Sequence, residues 1–361
     1  MRLRIIYGIL LLVSYYYLIS QASSAPVTTG GIEDPILIRY PELNSAPAPS
    51  WLQEGTRATY YVIAQAPAGE TVKTGDGLIQ IDVVAIDGGT AATATEQYAP
   101  YPQGGMRPIQ ETGSVTPVGC GDFWCNPEVL QKIPDLADNS GLTVQRVPMN
   151  IEGKDYKAIM FYFKEDTLAI KLIYDLDSGI LLYYKLDYIQ GSVGTNVLEE
   201  LHDVRRVSIP WKNGRIPEWL TNGATLNYQG QEVTQIQNAI GPPSSTPLLV
   251  QAEVLSVHNR FAKLRLGTLG VVSGIAQLNG FWIPQEEVNT LTPGIVDIDP
   301  DTGIKISILE SNNNGIVFEN TNQQDFTEQT TYDSEGRLIQ MVSQYIEGVG
   351  VVRTRGLQLV E

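Results

Sequence analysis

The sequence is poor in the residue types that most often carry catalysis and metal binding. Its 361 residues include only two cysteines and two histidines, and 24 Lys and Arg stand against 40 Asp and Glu. The formal net charge of −16 excludes most nucleic-acid partners, because binding to phosphates needs clustered basic residues. No G-x-S-x-G, H-E-x-x-H, P-loop or dinucleotide motif occurs. We therefore predict a protein that is not an enzyme and binds no nucleic acid.

Long apolar runs are also scarce, and the one that exists lies at the N-terminus. Arg2 and Arg4 precede an apolar run over 5–20, and small residues follow at 21–25. This order is typical of a secretory signal peptide, which we predict over residues 1–25. An uncleaved membrane anchor is the alternative, because the run is only slightly shorter than the ~20 residues that span a bilayer. We expect an extracellular or periplasmic protein that meets a membrane, if at all, through this segment.

The two cysteines, Cys120 and Cys125, lie close together in the segment GCGDFWCNP. In an exported chain such a pair predicts a disulfide, with free thiols as the alternative. A structural zinc site needs four ligands, and His202 and His258 are the only histidines that could complete one. We therefore predict a structural disulfide and no zinc site.

The strongest signal is an internal duplication. The pattern W-L-x-x-G-x-x-x-x-Y begins at Trp51 and again at Trp219, and Tyr-Asp pairs followed by Gly-containing turns occur at 174–175 and 332–333. Phe-Trp pairs at 123–124 and 281–282 fall between these blocks in both copies. The order predicts two homologous β units, at 51–210 and 211–361. Residues 26–50, rich in Pro, Ser and Ala, predict a tether-like leader.

Within each copy the hydrophobic pattern is that of β-strands. Segments such as IQIDVVAID at 79–87 alternate apolar and polar residues and end in a DGG turn. One local helix signal occurs per copy, where a Pro near the first turn is followed by acidic residues, at 126–128 and 284–287. We predict a mainly β fold of two tandem units, each a curved antiparallel sheet of roughly six to nine strands crossed by one short helix.

The segment DIDPDTG at 297–303 is the one candidate metal site. Asp297, Asp299 and Asp301 have the 1, 3, 5 spacing of a calcium loop. An EF-hand has Gly at the sixth position and Glu at the twelfth, whereas this segment has Thr302 and Ile308. A hairpin turn is therefore the competing interpretation, and calcium is the only cofactor that the sequence suggests.

Aromatic residues suggest where a ligand could bind. Aromatics that recur in both copies are expected in the core, because large rings dominate burial. Tyr162, Tyr183 and Tyr184 have no counterpart in the second copy, and we predict that they face a ligand.

The W-L-x-x-G-x-x-x-x-Y and Y-D-x-x-x-G-x-L motifs resemble those of an uncharacterised group of exported, β-rich prokaryotic proteins. The order of elements is also similar to the half-barrels of the periplasmic lipoprotein-carrier family, which hold acyl chains in an apolar cavity. These resemblances imply a non-enzymatic binding protein in a prokaryotic cell envelope, with an apolar, amphiphilic or carbohydrate ligand in each unit. The alternative is a structural or protein-interaction component of the envelope that binds another envelope protein.

Overall fold

The computed structural model describes residues 35–68, 71–100, 105–137, 141–190, 193–211, 214–236, 241–346 and 350–360. The predicted signal peptide and the first part of the predicted leader, residues 26–34, lie outside these ranges. None of the helices in the described ranges is long and apolar enough to cross a membrane.

Two ten-stranded antiparallel sheets make up nearly all of the described chain. Sheet 1 contains β1 (Thr56–Ala68), β2 (Thr71–Asp87), β3 (Thr90–Pro100), β4 (Met106–Pro117), β7 (Leu136–Ala137), β8 (Leu142–Ile151), β9 (Lys154–Lys164), β10 (Leu168–Asp175), β11 (Leu181–Gln190) and β12 (Val193–Arg206). Sheet 2 contains β13 (Thr225–Ile236), β14 (Ser244–Val257), β15 (Phe261–Leu266), β16 (Leu269–Gly274), β17 (Gly294–Ile298), β18 (Lys305–Asn312), β19 (Gly315–Thr321), β20 (Phe326–Asp333), β21 (Leu338–Ile346) and β22 (Val351–Val360). The mainly β fold with two tandem units is confirmed, with more strands per unit than predicted.

Both sheets have the same strand order. Sheet 1 runs β4-β3-β2-β1-β12-β11-β10-β9-β8-β7, and sheet 2 runs β16-β15-β14-β13-β22-β21-β20-β19-β18-β17. In each unit, therefore, the first strand pairs with the last in the middle of the sheet. Neighbouring strands in between follow chain order, so that each half of a sheet is an antiparallel meander. Two further strands, β5 (Cys120–Gly121) and β6 (Trp124–Cys125), form a small separate sheet.

The repeated tryptophans make the same hydrogen bond in both units. Trp51 Nε1 donates to the carbonyl oxygen of Ser178 at 2.7 Å, and Trp219 Nε1 donates to that of Glu335 at 2.9 Å. Both acceptors lie in the turn that follows the Tyr-Asp pair. The W-L motif therefore fastens the entry of each unit to the turn before its penultimate strand.

A glycine in each of these turns explains why the Tyr-Asp motif includes one. Gly179 and Gly336 have φ of +78° and +74°, the left-handed region that glycine adopts without steric cost. A Cβ at either position would collide with a backbone carbonyl, that of Cys125 or that of Ile283 respectively. The residues after Trp124 and Trp282 make matching hydrogen bonds to these glycines, because Cys125 N donates to Gly179 O and Ile283 N donates to Gly336 O.

The predicted helices are single turns. In the first unit α3 (Pro127–Leu130) begins after Asn126, whose side chain accepts a hydrogen bond from Val129 N at 3.0 Å. In the second unit only a 3₁₀ turn, Gln285–Glu287, is present, and it has no side-chain cap. The loss of the Asn cap accounts for the weaker helix in the second copy.

The predicted leader differs from a tether over its described part. Residues 35–45 form two short helices, α1 (Pro35–Arg39) and α2 (Glu42–Ser45). Ile36 and Leu43 are fully buried in the core of the first unit, and Tyr40 contacts the ring of Phe161 edge-on at 6.0 Å. Composition alone misses this, because only a few apolar side chains are needed to anchor a Pro-rich segment.

Each unit has its own core, centred on the second tryptophan of the repeat. Trp124 and Trp282 are both fully buried, as are Phe123 beside the first and Ile283 beside the second. Trp124 Nε1 also donates to the carbonyl oxygen of Val118 at 2.8 Å. The prediction that repeated aromatics belong to the core holds for these pairs.

The predicted disulfide is confirmed. Cys120 and Cys125 are directly paired across β5 and β6, and their sulfur atoms are bonded. The bond closes the loop that presents Phe123 and Trp124 to the core, at a place where the second unit has no cysteine.

Candidate functional site

The three tyrosines predicted to face a ligand do not converge. Tyr183 and Tyr184 are successive residues of β11, so their side chains point to opposite faces of sheet 1. Tyr184 lies on the face that carries the core, called here the inner face, and is 5% exposed. Tyr162 lies on the outer face, where the Lys171 ammonium is 5.9 Å from its ring centre. Tyr183, partly buried, shares the outer face with Tyr162.

Tyr184 is instead part of a polar pair inside the first unit. Its cross-strand partner on β12 is Glu199, which is 9% exposed. The hydroxyl of Tyr184 has no hydrogen-bond partner among the described residues. Burial raises the pKa of Glu199 to about 7. The same burial raises the pKa of Tyr184 well above its ordinary value, and the charge of Glu199 adds to the shift.

An apolar row crosses the inner face next to this pair. The residues Phe163, Ile170, Leu186, Val197 and Ala64 are successive cross-strand neighbours over β9, β10, β11, β12 and β1. The first three are only partly buried, whereas the last two are fully buried. We call this set the apolar row. Half-covered apolar side chains in a line are the usual lining of a small-molecule site.

The second unit places polar side chains at the same positions. When Tyr174 is aligned with Tyr332, the equivalent row in sheet 2 again consists of successive cross-strand neighbours: Asn320, Glu328, Ser343, Arg355 and Glu232. Arg355 Nη2 donates to Glu232 Oε2 at 2.9 Å, whereas the third charged member, Glu328, accepts a hydrogen bond from Asn320 Nδ2 at 3.4 Å. The two units thus share the ladder but not its chemistry.

A small pocket adjoins the apolar row on the β1–β2–β3 side. It is lined in part by Val62, Gly75, Gly77, Ile79 and Ala99. Val62 is the cross-strand neighbour of both Glu199 and Gly77. The pocket has room for about one water molecule. A Cβ at Gly77 would collide with the carbonyl oxygen of Tyr98, so the chain packs closely at this position.

The rim of the inner face is open in the first unit and covered in the second. In sheet 2 the rim residues Phe326 and Tyr345 pack against Leu78 and Tyr98 from the outer face of sheet 1, and Arg107 lies over the ring of Tyr345 at 5.8 Å.

The corresponding cross-strand pair in sheet 1 is Leu168 and Tyr188. Leu168 is partly buried and Tyr188 is 41% exposed. The outer face of unit 1 therefore closes unit 2, and no described element of unit 2 does the same for unit 1.

The candidate calcium segment lies at the contact between the units. Asp299 Oδ2 accepts hydrogen bonds from Arg57 Nη1 and Arg205 Nη2, both at 2.7 Å, and from Gln80 Nε2 at 3.0 Å. The side chain of Asp299 is almost completely buried. Burial opposes ionisation, but Arg57 and Arg205 hold the pKa of Asp299 well below its ordinary value. A carboxylate with two guanidinium partners is typical of an ion-pair network.

The rest of the segment completes a hairpin turn. Asp299 Oδ1 accepts from Thr302 N at 2.8 Å, which is the local side-chain bond of an Asx turn. Asp297 accepts from Arg205 Nη2 at 2.8 Å, and Asp301 Oδ1 lies 3.3 Å from His202 Nε2. Within the described ranges no three His, Cys, Asp or Glu side chains are arranged to hold a metal ion. The geometry matches the turn interpretation, and a calcium role stays a prediction without support from these contacts.

Three further carboxylates meet at the same contact. Glu111 accepts a hydrogen bond from Gln277 Nε2 of the second unit at 2.8 Å. Burial, together with the charge of Glu96, raises the pKa of Glu111 to about 8 and that of Glu328 to about 7. The interface therefore combines an arginine-rich part around Asp299 with an acidic part around Glu111.

Sequence reasoning did not identify Glu199 or the arginines at the contact. The alternation of β12 is a usable signal for Glu199, because Val197 and Leu201, two positions away on either side, are apolar residues of the core. The partners of Asp299 have no such signal, since Arg57 lies 242 residues away in the chain.

Comparisons with known proteins leave the family open. The sequence matches no protein-family model and no curated protein. The solved structures that it resembles include MucB in complex with MucA(peri), at 10% identity over 90% of this chain and 92% of that one, with a TM-score of 0.24. A MucA/MucB complex from Pseudomonas aeruginosa gives 10% identity, the same coverage and a TM-score of 0.25.

A DUF3598 protein of unknown function from Nostoc punctiforme gives 11% identity over 85% of this chain and 96% of that one, with a TM-score of 0.15. All three TM-scores are too low to carry an argument about fold or function. The resemblances to exported prokaryotic proteins and to lipoprotein carriers therefore stay predictions.

Proposed function

We propose that this chain is a non-enzymatic binding protein that holds a small amphiphilic molecule on the inner face of its first unit. The observation that carries the proposal is the apolar row with its open rim. Where the second unit has polar and charged side chains and a cover, the first has Phe163, Ile170 and Leu186, each only partly buried. Covering such side chains with a ligand gains roughly 25 cal/mol for each Å² of apolar surface removed from water.

The proposal narrows the ligand classes suggested by the sequence. An alkyl or acyl chain matches a row without polar groups. A carbohydrate would need exposed aromatic rings near polar side chains, but Tyr162 and Tyr183 lie on the opposite face. The second unit has no equivalent row, so the prediction of one ligand per unit becomes a proposal of one ligand per chain.

The test is binding of the fluorescent apolar probe N-phenyl-1-naphthylamine to the purified chain. We expect the wild type to enhance its fluorescence, and Leu186→Ser, which installs the residue of the second unit, to weaken binding at least fivefold. The matched control is Leu198→Ser, a partly buried leucine of the outer face on the neighbouring strand. Thermal unfolding of both variants shows that they fold. Absence of probe binding by the wild type, or equal effects of the two substitutions, would contradict the proposal.

Protein interaction in the cell envelope is the second candidate. It is favoured by apolar side chains that the second unit exposes, above all Leu249 on the outer face of sheet 2, which is 80% exposed, and Ile295 and Ile298 on the edge strand β17, which are 62% and 58% exposed. Exposed apolar groups on an edge strand are a usual feature of strand-mediated contacts. This candidate gains weight if the probe experiment shows no binding.

A further inference from the structure

The buried pair Tyr184 and Glu199 lies across two neighbouring strands beside the apolar row. The two side chains are opposite each other across β11 and β12, both are at least nine-tenths buried, and the hydroxyl of Tyr184 has no hydrogen-bond partner within the described ranges. Leaving a buried polar group without a partner is unfavourable, because the group loses its hydrogen bonds with water. The nearby Tyr60 does not relieve this cost, because its hydroxyl already donates to Leu181 O at 2.8 Å.

The second unit shows that the sheet does not need polar residues here. In the equivalent cross-strand pair, Met341 lies opposite Leu357. These apolar side chains lie beside Phe318 and Thr330 just as Tyr184 and Glu199 lie beside Phe161 and Leu172. The first unit therefore retains two polar groups at a position where Met and Leu serve the same fold.

The location of the pair connects it with the proposed ligand. Glu199 and Val197 are two residues apart on the same face of β12, and Tyr184 and Leu186 are two residues apart on the same face of β11. The pair therefore lies directly beside the apolar row, on the side away from the rim. Val62, opposite Glu199, lines the pocket. A molecule whose chain lies along the apolar row can thus bring its end group to the pair.

We infer that Tyr184 and Glu199 recognise the head group of the amphiphile proposed above, and that this head group is a hydrogen-bond donor, a primary ammonium or a hydroxyl. The inference rests on the proposed function, since it assigns polar specificity to the same site. A carboxylate accepts hydrogen bonds and a phenol can both donate and accept, so together they offer an acceptor-rich end to an otherwise apolar face. A ligand carboxylate would place a second negative group beside Glu199, which is unfavourable in an apolar interior.

The experiment compares dodecylamine, 1-dodecanol and dodecanoate, each below its aggregation concentration, by calorimetric titration of the full chain at pH 7.5. We expect the amine and the alcohol to bind at least tenfold more tightly than dodecanoate. The double variant Tyr184→Met/Glu199→Leu, which copies the second unit, should lose this preference and still bind all three through the apolar row. Because the variant replaces buried polar groups with apolar ones, we expect it to fold.

The matched control is Glu200→Gln, which removes one negative charge from the outer face of the same strand and should keep the preference. Loss of the preference in this control would show that net charge, and not the pair, attracts the amine, and would overturn the inference. Equal binding of dodecanoate by the wild type would overturn the inference and leave the proposed function standing. If none of the three compounds binds, both the inference and the proposed function fail.

Discussion

The two units have the same ladder of strands, but their inner faces are completed in different ways. In unit 1 the helices α1 and α2 cover part of the inner face, and the rim near Leu168 and Tyr188 is open. In unit 2 the rim is closed by the outer face of unit 1, through the cluster that contains Leu78 and Phe326. The row of sheet 2 that meets the other unit carries polar and charged side chains, and the same row of sheet 1, which faces no described neighbour, is apolar. Strand pairing sets where side chains lie, and the neighbouring surface determines which side chains are tolerated there.

The largest expected effect comes from removing the tryptophan on which each core is built. Trp282→Ala should lower the free energy of unfolding by about 3–5 kcal/mol, because it leaves a large cavity in a fully buried site. Trp124→Ala should cost a similar amount and also leave the Val118 carbonyl without its indole donor. Denaturant unfolding followed by the fluorescence of the remaining tryptophans measures both. Trp282→Phe, which keeps most of the volume, is the control.

We expect the Trp124 variant to retain more local order than the Trp282 variant, because only unit 1 has a disulfide across this loop. Such a result would show that the two cores are held in different ways. Unchanged unfolding midpoints in both alanine variants would contradict the assignment of these rings to the two cores.

The next effect concerns the contact between the units. Asp299→Ala removes the carboxylate shared by Arg57 and Arg205 and leaves two buried cations with one carboxylate each. We expect a loss of about 3 kcal/mol, at the lower end of the range for breaking a buried ion pair, because each arginine keeps one partner. Differential scanning calorimetry should show the single transition of the wild type separating into two.

Asp301→Ala in the same turn is the control, since its ion-pair neighbour among the described residues is the neutral-to-cationic His202 and not an arginine, and it should cost less than half as much. If Asp299→Ala unfolds like the wild type, the contact does not couple the units.

The last expected effect is a dependence of stability on pH. The folded-state pKa of Glu111 is raised to about 8, above its ordinary value of 4.5, so the folded state binds more protons than the unfolded state between these pH values. The stability of the wild type should therefore fall as pH rises from about 4.5 to about 8. Glu111→Gln should reduce this fall, measured as the difference between urea midpoints at pH 5 and pH 8.

The control is Glu286→Gln, which removes one negative charge from an exposed position and leaves the contact between the units unchanged. An equal fall with pH in the Glu111 variant would show that the acidic part of the contact is not responsible for it.

Much of the fold was predictable from the sequence, because the duplication repeats local patterns twice. The glycine turns and the cysteine pair depend on neighbours along the chain, and the disulfide is found as predicted. The Trp51 and Trp219 motifs mark the repeat, but the hydrogen bonds of their indoles reach turns 127 and 116 residues away, which the sequence did not predict. The number of strands was underestimated because short strands such as Leu136–Ala137 carry too little pattern to be recognised. The burial of Ile36 and Leu43 was missed because it depends on a sheet formed by residues more than a hundred positions later.

The candidate site was less predictable. Counting unpaired tyrosines led to Tyr162, Tyr183 and Tyr184, but alternation along β11 and cross-strand register separate them onto two faces. Asp299 has the spacing of a metal ligand in sequence, and its arginine partners come from the other unit. Both differences have the same cause. Face and partner are properties of strand pairing between distant segments, and spacing along one segment does not contain them.

The meeting of first and last strands in the middle of each sheet has a consequence for synthesis of the chain. β13 must wait for β22, so a ribosome has to deliver residues up to Val360 before the centre of sheet 2 can close. Until then the two halves of the sheet expose long strand edges, which are prone to wrong pairing. Losing the ten residues of β22 would remove the middle of a sheet and not a dispensable margin, so a message truncated near its end should yield an unfolded second unit beside a finished first one.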